Sequence, residues 1–286
     1  MILYGNELAA KLQAGMKEEI DQIKEKGLRL PCLSVILVGD NPASQSYVNS
    51  KANACHKIGI ENRTIHLPAD ISQEELEAVV QKENEDPNVD GILIQLPLPA
   101  GSGLNEEKAL MAISPDKDVD GLHPLNAGAL ALGREGFAPC TPRGVMEILK
   151  EAGYTDLSGM RAVVMGRSNL VGKPVAQLLQ NANATVTVIH SRTKDAPSIC
   201  READILIAAI GKPEFVTAEY VQDGAIVIDV GINRVDGKLK GDVKFDEVAP
   251  KASVITPVPK GVGPMTVCML LDNTIEAWKK HEGIHD

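Results

Sequence analysis

Apolar residues along this chain recur with two periods, and their alternation predicts two runs of mixed helix and strand. In Asn6–Lys26, Leu8, Leu12, Met16, Ile20 and Ile23 are spaced three or four apart with charges between them. That is the period of an amphipathic helix, and Gly27 ends it. Leu33–Val38 (LSVILV) is an apolar run of strand length. The turn Gly39-Asp40-Asn41-Pro42 then starts a helix over Ala43–Lys57 that stops at Gly59. Thr64–Leu67 predicts a short strand. Ser72-x-x-Glu75 is a capping-box pattern that opens a helix to about Asn84. Gly91–Leu96 (GILIQL) predicts a further strand, closed by Pro97 and Pro99. This alternation predicts an α/β layer with a parallel sheet.

Between Pro97 and Pro142 the chain is richer in Gly and Pro and holds the acidic turn Lys117-Asp118-Val119-Asp120-Gly121, then His123-Pro124. Pro142–Ala152 reads as a helix. A second α/β run begins at Arg161, with strands expected at Ala162–Met165, Ala184–Ile189, Asp204–Ile210 and Ala225–Val230, and a short one at Ser253–Thr256. The loop Pro257–Pro264 leads into a last helix, Thr266–Lys279.

Composition narrows the classes. At 286 residues and 44% hydrophobic, the chain can bury a large core and form two domains. No apolar run approaches the roughly 18 residues of a membrane span, and the N-terminal residues carry no secretion pattern. The five cysteines are scattered without a C-x-x-C pair, so neither a zinc site nor a disulfide framework is expected. A cytoplasmic protein is the simple reading. A net charge of −10 argues against a nucleic-acid surface, and 3% aromatic residues argue against base-stacking platforms. Any anionic ligand must therefore meet locally placed Lys and Arg. No metal is expected. His281-Glu282-Gly283-Ile284-His285 matches a zinc-protease motif in letters, but Gly283 interrupts it at a chain end expected to fray.

The stretch RAVVMGRSNLVGKPVAQLL, Arg161–Leu179, carries the clearest chemistry. An apolar strand, a small-residue turn and a helix N-terminus together make a phosphate site, because the first helical turn has free N–H groups. Gly166 allows the tight turn, Gly172 allows a close approach, and Pro174 suits a first helical position. An ordinary strand–turn–helix would look similar. An NAD site should show an acidic residue about 20 positions further on. Here the second strand ends His190-Ser191-Arg192-Thr193-Lys194, with hydroxyls and cations and no carboxylate. That suits a 2′-phosphate, and Arg167 can reach the same group. A basic surface loop is the alternative.

Tyr47 and Lys51 stand four apart on one helix face, so the phenol can tune or relay the amine's proton. A partly buried Tyr and a solvated Lys would give the same spacing. Short-chain dehydrogenases share the spacing, but there the pair follows the dinucleotide fold, whereas here it precedes it. Gln95 lies in an otherwise apolar strand, where a buried amide needs partners. Of Asp118 and Asp120, one can face a pocket and accept from heterocycle N–H groups, or both can sit in a solvated turn.

Together these segments resemble the bifunctional methylenetetrahydrofolate dehydrogenase/methenyltetrahydrofolate cyclohydrolase family, the FolD type. The motifs are SYVNSKANACHKIGI, DGILIQLPLP, KDVDGLHPLNAG, CTPRGVMEIL, VVMGRSNLVGKPVAQLL, ATVTVIHSRT, VIDVGINR and TPVPKGVGPMTVCMLL, and they cover essentially the whole chain. The resemblance implies a two-domain α/β fold with a cleft between the domains. An N-terminal folate and catalytic domain would span 1–140, with the helix 266–286 packed back on it, and a Rossmann-type NADP-binding domain would span 141–265. It places the folate site on Tyr47, Lys51, Gln95, Asp120 and Pro264, with Lys51, Tyr47 and Gln95 catalytic. It places NADP on Gly166, Arg167, Ser168, Ser191 and Ile232, with Arg192 added from the reading above. The implied reactions are oxidation of 5,10-methylenetetrahydrofolate and hydrolysis of the methenyl product to 10-formyltetrahydrofolate. This is one-carbon metabolism feeding purine biosynthesis, run by a homodimer on folates with or without a polyglutamate tail. Where the family reads P-G-G-V-G-P, this chain has Lys260 at the first glycine. A dehydrogenase without cyclohydrolase activity and a non-catalytic NADP-sensing module are the alternatives.

Overall fold

The structure is a computed structural model that describes residues 1–284. His285 and Asp286, which end the expected helix 266–286 and the His-Glu-x-x-His letters, lie outside the described residues. In chain order the elements are α1 (Gly5–Glu25), β1 (Cys32–Val38), α2 (Pro42–Ile58), β2 (Glu61–Leu67), α3 (Gln73–Glu85), β3 (Gly91–Ile94), α4 (Glu106–Met111), α5 (Pro124–Ala131) and α6 (Cys140–Glu151). There follow β4 (Arg161–Met165), α7 (Gly172–Asn181), β5 (Thr185–Ile189), α8 (Ala196–Cys200), β6 (Ile205–Ala208), β7 (Ile226–Asp229), β8 (Asn233–Val235), β9 (Lys238–Lys240), α9 (Phe245–Val248), β10 (Val254–Ile255) and α10 (Val262–His281).

The chain packs as two compact units, one of Leu12–Ala138 with the chain from Leu270 on, the other of Met1–Lys11 with Pro139–Met269. The first eleven residues thus fall with the second unit. The reason is a parallel bridge between Ile2 and Ile255, flanked by Leu3 N–H donating to the Ile255 carbonyl at 2.9 Å.

The first unit holds the parallel sheet β2-β1-β3. Every residue of central β1 is buried, which is why it reads as a continuous apolar run. Edge strand β2 begins with four polar residues, has no fully buried position, and runs the full length of β1, from Cys32↔Glu61 to Val38↔Leu67. Only its apolar half is visible as a strand in the sequence. Asn41 caps α2 through its side chain, and Gly59 ends that helix at φ +92°. Both bonds of the Ser72/Glu75 capping box are present. β3 stops at Ile94 rather than Leu96, so Gln95 follows the strand instead of lying inside it. Within the described residues, His281 and Glu282 are held by partners. His281 Nδ1 lies 2.9 Å from buried Asp90, and Glu282 accepts from Arg29 Nε at 2.7 Å.

The second unit holds the parallel sheet β10-β7-β6-β4-β5. Counted from β4, the strand order is 2-1-3-4-5, a common doubly wound arrangement whose ligands bind where connections diverge, outside the strand ends between its first and third strands. Here those strands are β4 and β6. β6 and β7 are wholly buried and shorter than their apolar runs, while edge strand β5 keeps Thr185, Thr187 and Val188 exposed. The β8–β9 hairpin is absent from the sequence expectation. Its Asp236-Gly237 turn has φ +48° and +76°, the conformation that a two-residue hairpin favours. α7 begins at Gly172, so Pro174 is its third residue and not its first. α10 begins at Val262 rather than Thr266, with Pro264 third, where no intrahelical acceptor is lost.

Candidate active site

In the first unit the chain leaves β1 through α2 toward β2, then returns through α3 to β3 on the other side of β1. The C-terminal ends of β1 and β3 therefore make the switch point of this sheet. Gln95 stands there. Its N–H continues the ladder to the Ile36 carbonyl at 2.8 Å, and its side chain is 9% exposed. Lys51 Nζ, reaching from half-buried Lys51 on α2, donates to Gln95 Oε1 at 2.8 Å. Gln95 Nε2 donates to the Leu96 carbonyl at 2.7 Å, which fixes the amide with its oxygen toward the lysine. The structure thus joins Lys51 to Gln95. Tyr47 stands one turn earlier on α2 and is 60% exposed.

The turn with the two aspartates runs beside β3. Ile92 N–H donates to the Lys117 carbonyl at 2.8 Å, and a Cβ on Gly91 would press on Val119. Asp118 is buried and accepts from Leu122 N–H at 3.1 Å, His123 N–H at 2.8 Å and Asn126 Nδ2 at 2.8 Å. It closes the turn, and burial pushes its carboxyl up to about 6. Asp120, half-buried, keeps surface that a ligand can reach.

In the second unit a cavity of about 560 Å³ opens at the β4/β6 switch point. Gly166, Arg167, Ser168 and Ser191 line it. Gly166 has φ +118°, and a Cβ there would collide with the Ala209 carbonyl at the end of β6. A Cβ on Gly172 would collide with the Gly166 carbonyl, so the close approach this glycine allows is of its own helix to the turn. The expectation of free N–H groups on α7 needs correction. Ser168 Oγ takes the N–H groups of Val171 at 3.2 Å and Gly172 at 3.3 Å, the Ser168 carbonyl takes Lys173 N–H at 3.0 Å, and Pro174 has none. Arg167 and Ser168 of this turn line the cavity.

Arg192 does not line the cavity; its N–H donates to His190 Nδ1 at 3.2 Å. Ile232 also lies outside it, 54% exposed, with its Cδ1 beside Gly263, the residue before Pro264. Lys212, Phe215 and Tyr220 line the cavity and were missed. Their signal was the end of the apolar run at Ala209-Ile210, because strand ends at a switch point are where ligands sit. No Asp or Glu lines the cavity among the described residues, although the chain as a whole carries −10.

Residues 3–120 match the catalytic domain of tetrahydrofolate dehydrogenase/cyclohydrolase, and residues 139–282 match the NAD(P)-binding domain of the same enzyme. The chain belongs to the tetrahydrofolate dehydrogenase/cyclohydrolase family. Among relatives of this family, it is 52% identical over 280 residues to a bifunctional protein FolD of Brevibacillus brevis, covering 98% of this chain and 97% of the relative. Its fold is similar to the crystal structure of bifunctional FolD from Campylobacter jejuni, with TM-score 0.94, 50% identity, and 98% and 99% of the two chains covered. It is also similar to the Trypanosoma brucei family member, a structure complexed with NADP cofactor and inhibitor, with TM-score 0.91, 41% identity, and 98% and 97% covered.

Proposed function

We propose that this chain is a bifunctional enzyme of one-carbon metabolism. It oxidises 5,10-methylenetetrahydrofolate with NADP+ to the 5,10-methenyl cation and hydrolyses that cation to 10-formyltetrahydrofolate. The observation that carries the reading is the Lys51–Gln95 hydrogen bond at the switch point of the unit that matches the family's catalytic domain. The second unit supports it. A cavity of about 560 Å³ with Arg167, Lys212, Ser168 and Ser191 at its walls, no carboxylate, and a glycine whose Cβ would close the strand end, fits a dinucleotide carrying an extra phosphate.

When bound, NADP+ supplies the hydride acceptor. Arg167, Ser168 and Ser191 would hold its phosphates, and Gly166 would let the turn pack against the end of β6; Ile232 and Arg192, which do not line the cavity, would meet the cofactor only where it extends beyond it. Asp120 accepts from the pterin N–H groups, and Tyr47 is a further folate contact. Hydride transfer asks no proton of the protein. Hydrolysis does, because the attacking water must lose one. Lys51 takes that proton, and the cationic substrate favours its neutral amine by like-charge repulsion. Gln95 holds the amine through its oxygen, and Tyr47 on the same helix face assists.

The finer expectations rest on further features. Association into a homodimer is supported by the exposed β-branched edge of β5. A cytoplasmic setting is supported by the cysteines, all five buried and none of them in a disulfide among the described residues. No helix among the described residues is long and apolar enough to cross a membrane. The product would serve purine biosynthesis, and polyglutamylated folates are included in the substrate class. One assay tests the reading: purified protein with methylenetetrahydrofolate and NADP+ should form NADPH, and should speed the decay of added methenyl cation. Oxidation without catalysed decay would leave a monofunctional dehydrogenase. Neither reaction would remove the enzyme reading.

A further inference from the structure

We propose that Asp242 is a positioning residue of the cofactor cavity, whose carboxylate holds the Ile210–Lys212 turn and the Ile232 segment in the shape that binds the dinucleotide. Asp242 follows the β8–β9 hairpin and is fully buried, at 0% exposure. Its Oδ2 accepts from Ile210 N–H at 2.6 Å and Gly211 N–H at 2.9 Å. Its Oδ1 accepts from Lys212 N–H at 2.8 Å and Asn233 Nδ2 at 2.9 Å. Three successive backbone donors converging on one point form an anion-binding nest. Here the protein's own carboxylate fills the nest, so this turn offers a ligand side chains instead of amides. Ile210, Lys212 and Phe215 line the cavity, with Lys212 Nζ 5.2 Å from the centre of the Phe215 ring. The fourth bond, to Asn233, fixes the residue after Ile232. One carboxylate thus ties the end of β6 to the loop after β7.

Asp229, the last residue of β7 and 3% exposed, holds Asp242 in turn. Its Oδ1 accepts from Asp242 N–H at 2.9 Å and Gly231 N–H at 3.0 Å, and its Oδ2 from Val243 N–H at 2.9 Å. A Cβ on Gly231 would collide with the Asp242 carboxyl, and one on Gly241 with the Asp229 carboxyl. Two neighbouring buried carboxyl groups are costly, and stability alone is served as well by less charge. Their bonds converge on the turn and loop that shape the cavity, which is the reason to assign them to binding.

The inference rests on the cavity being the dinucleotide site. Asp242→Asn would present at most one oxygen to four donors. Direct titration of NADP+ onto the protein, without turnover, should show Kd raised by about tenfold or more, while kcat at saturating cofactor stays within about threefold. Asn233→Ala removes the bond to Asp242 and a longer one to the Lys240 carbonyl at 3.3 Å but keeps the carboxylate on the three amides, so its Kd should rise by a smaller factor, about two- to fivefold. Wild-type protein that does not bind NADP+ would overturn the reading of the cavity and this inference with it. A wild-type protein that binds, with Asp242→Asn binding equally well, would overturn the inference alone. So would lower melting temperatures in both variants with Kd unmoved. If Asp242→Asn does not fold, an unchanged Kd in Asn233→Ala decides against the proposal.

Discussion

At the scale of single residues, a polar group whose bonding capacity is used up inside the chain is structural, and one that keeps surface can serve a ligand. Asp118 spends its carboxylate on three donors of its own turn, whereas neighbouring Asp120 stays half-buried. Asp120→Asn should therefore weaken folate binding about tenfold with little change in NADP+ affinity, read by separate titrations. An unchanged folate Kd would return Asp120 to the surface turn. Asp118 and Asp229 make a second prediction. Burial raises their carboxyl groups from an ordinary 3.8 to about 6 and about 7. The folded chain then binds these protons more tightly than the unfolded chain does. Their contribution to stability is complete below about pH 4 and is lost as pH rises through the folded values. Asp229→Asn removes one such term, so its melting temperature should fall less than that of the wild type between about pH 5 and 8. Equal slopes would contradict this. The Tyr47/Lys51 spacing was legible because one helix fixes it. The Lys51–Gln95 bond was not, because it spans 44 residues and depends on which strands are neighbours.

At the scale of elements, central strands are plain in sequence because they are buried on both faces. Half of β2 was hidden because this edge strand opens with a run of polar residues, and the β8–β9 hairpin was hidden because its positions are mostly polar, leaving only the Asp236-Gly237 turn as a signal. The α7 N-terminus was located by its glycines, but its donors were misjudged because the Ser168 hydroxyl, in the turn before the helix, takes two of them. Ser168→Ala should free the Val171 and Gly172 N–H groups and cost about 1 kcal/mol, measured by denaturant unfolding. No loss would show that water replaces the hydroxyl at no cost. Lys260 sits at φ +79°, a conformation that costs a residue with a Cβ roughly 1–2 kcal/mol. Lys260→Gly should therefore raise stability by up to about 1 kcal/mol, the rest being offset by the freer unfolded glycine. A destabilised variant would mean that the lysine side chain makes a compensating contact.

At the scale of the whole molecule, both units follow one rule: parallel strands with ligand groups at the carboxyl ends where connections diverge. That rule was legible from the order of strand and helix, but the strand order itself was not, because sequence does not say which edge a new strand joins. The 2-1-3-4-5 order puts Lys212 and Phe215 beside the Arg167 turn although 45 residues or more separate them in the chain. It also ranks the basic residues. Arg167 lines the cavity and Arg192 does not, so Arg167→Ala should weaken NADP+ by about tenfold and NAD+ by less, with a smaller effect from Arg192→Ala. Equal losses for both cofactors would place Arg167 away from the extra phosphate. One chain is proposed to run two chemistries, of which only the hydrolysis needs the Lys51 amine. Lys51→Gln keeps length and a hydrogen-bonding tip but is no base near neutral pH. On one preparation, NADPH formation from the methylene substrate should remain measurable, while enzyme-catalysed decay of the methenyl cation falls by about 10²-fold or more. Undiminished decay in that variant would contradict the account.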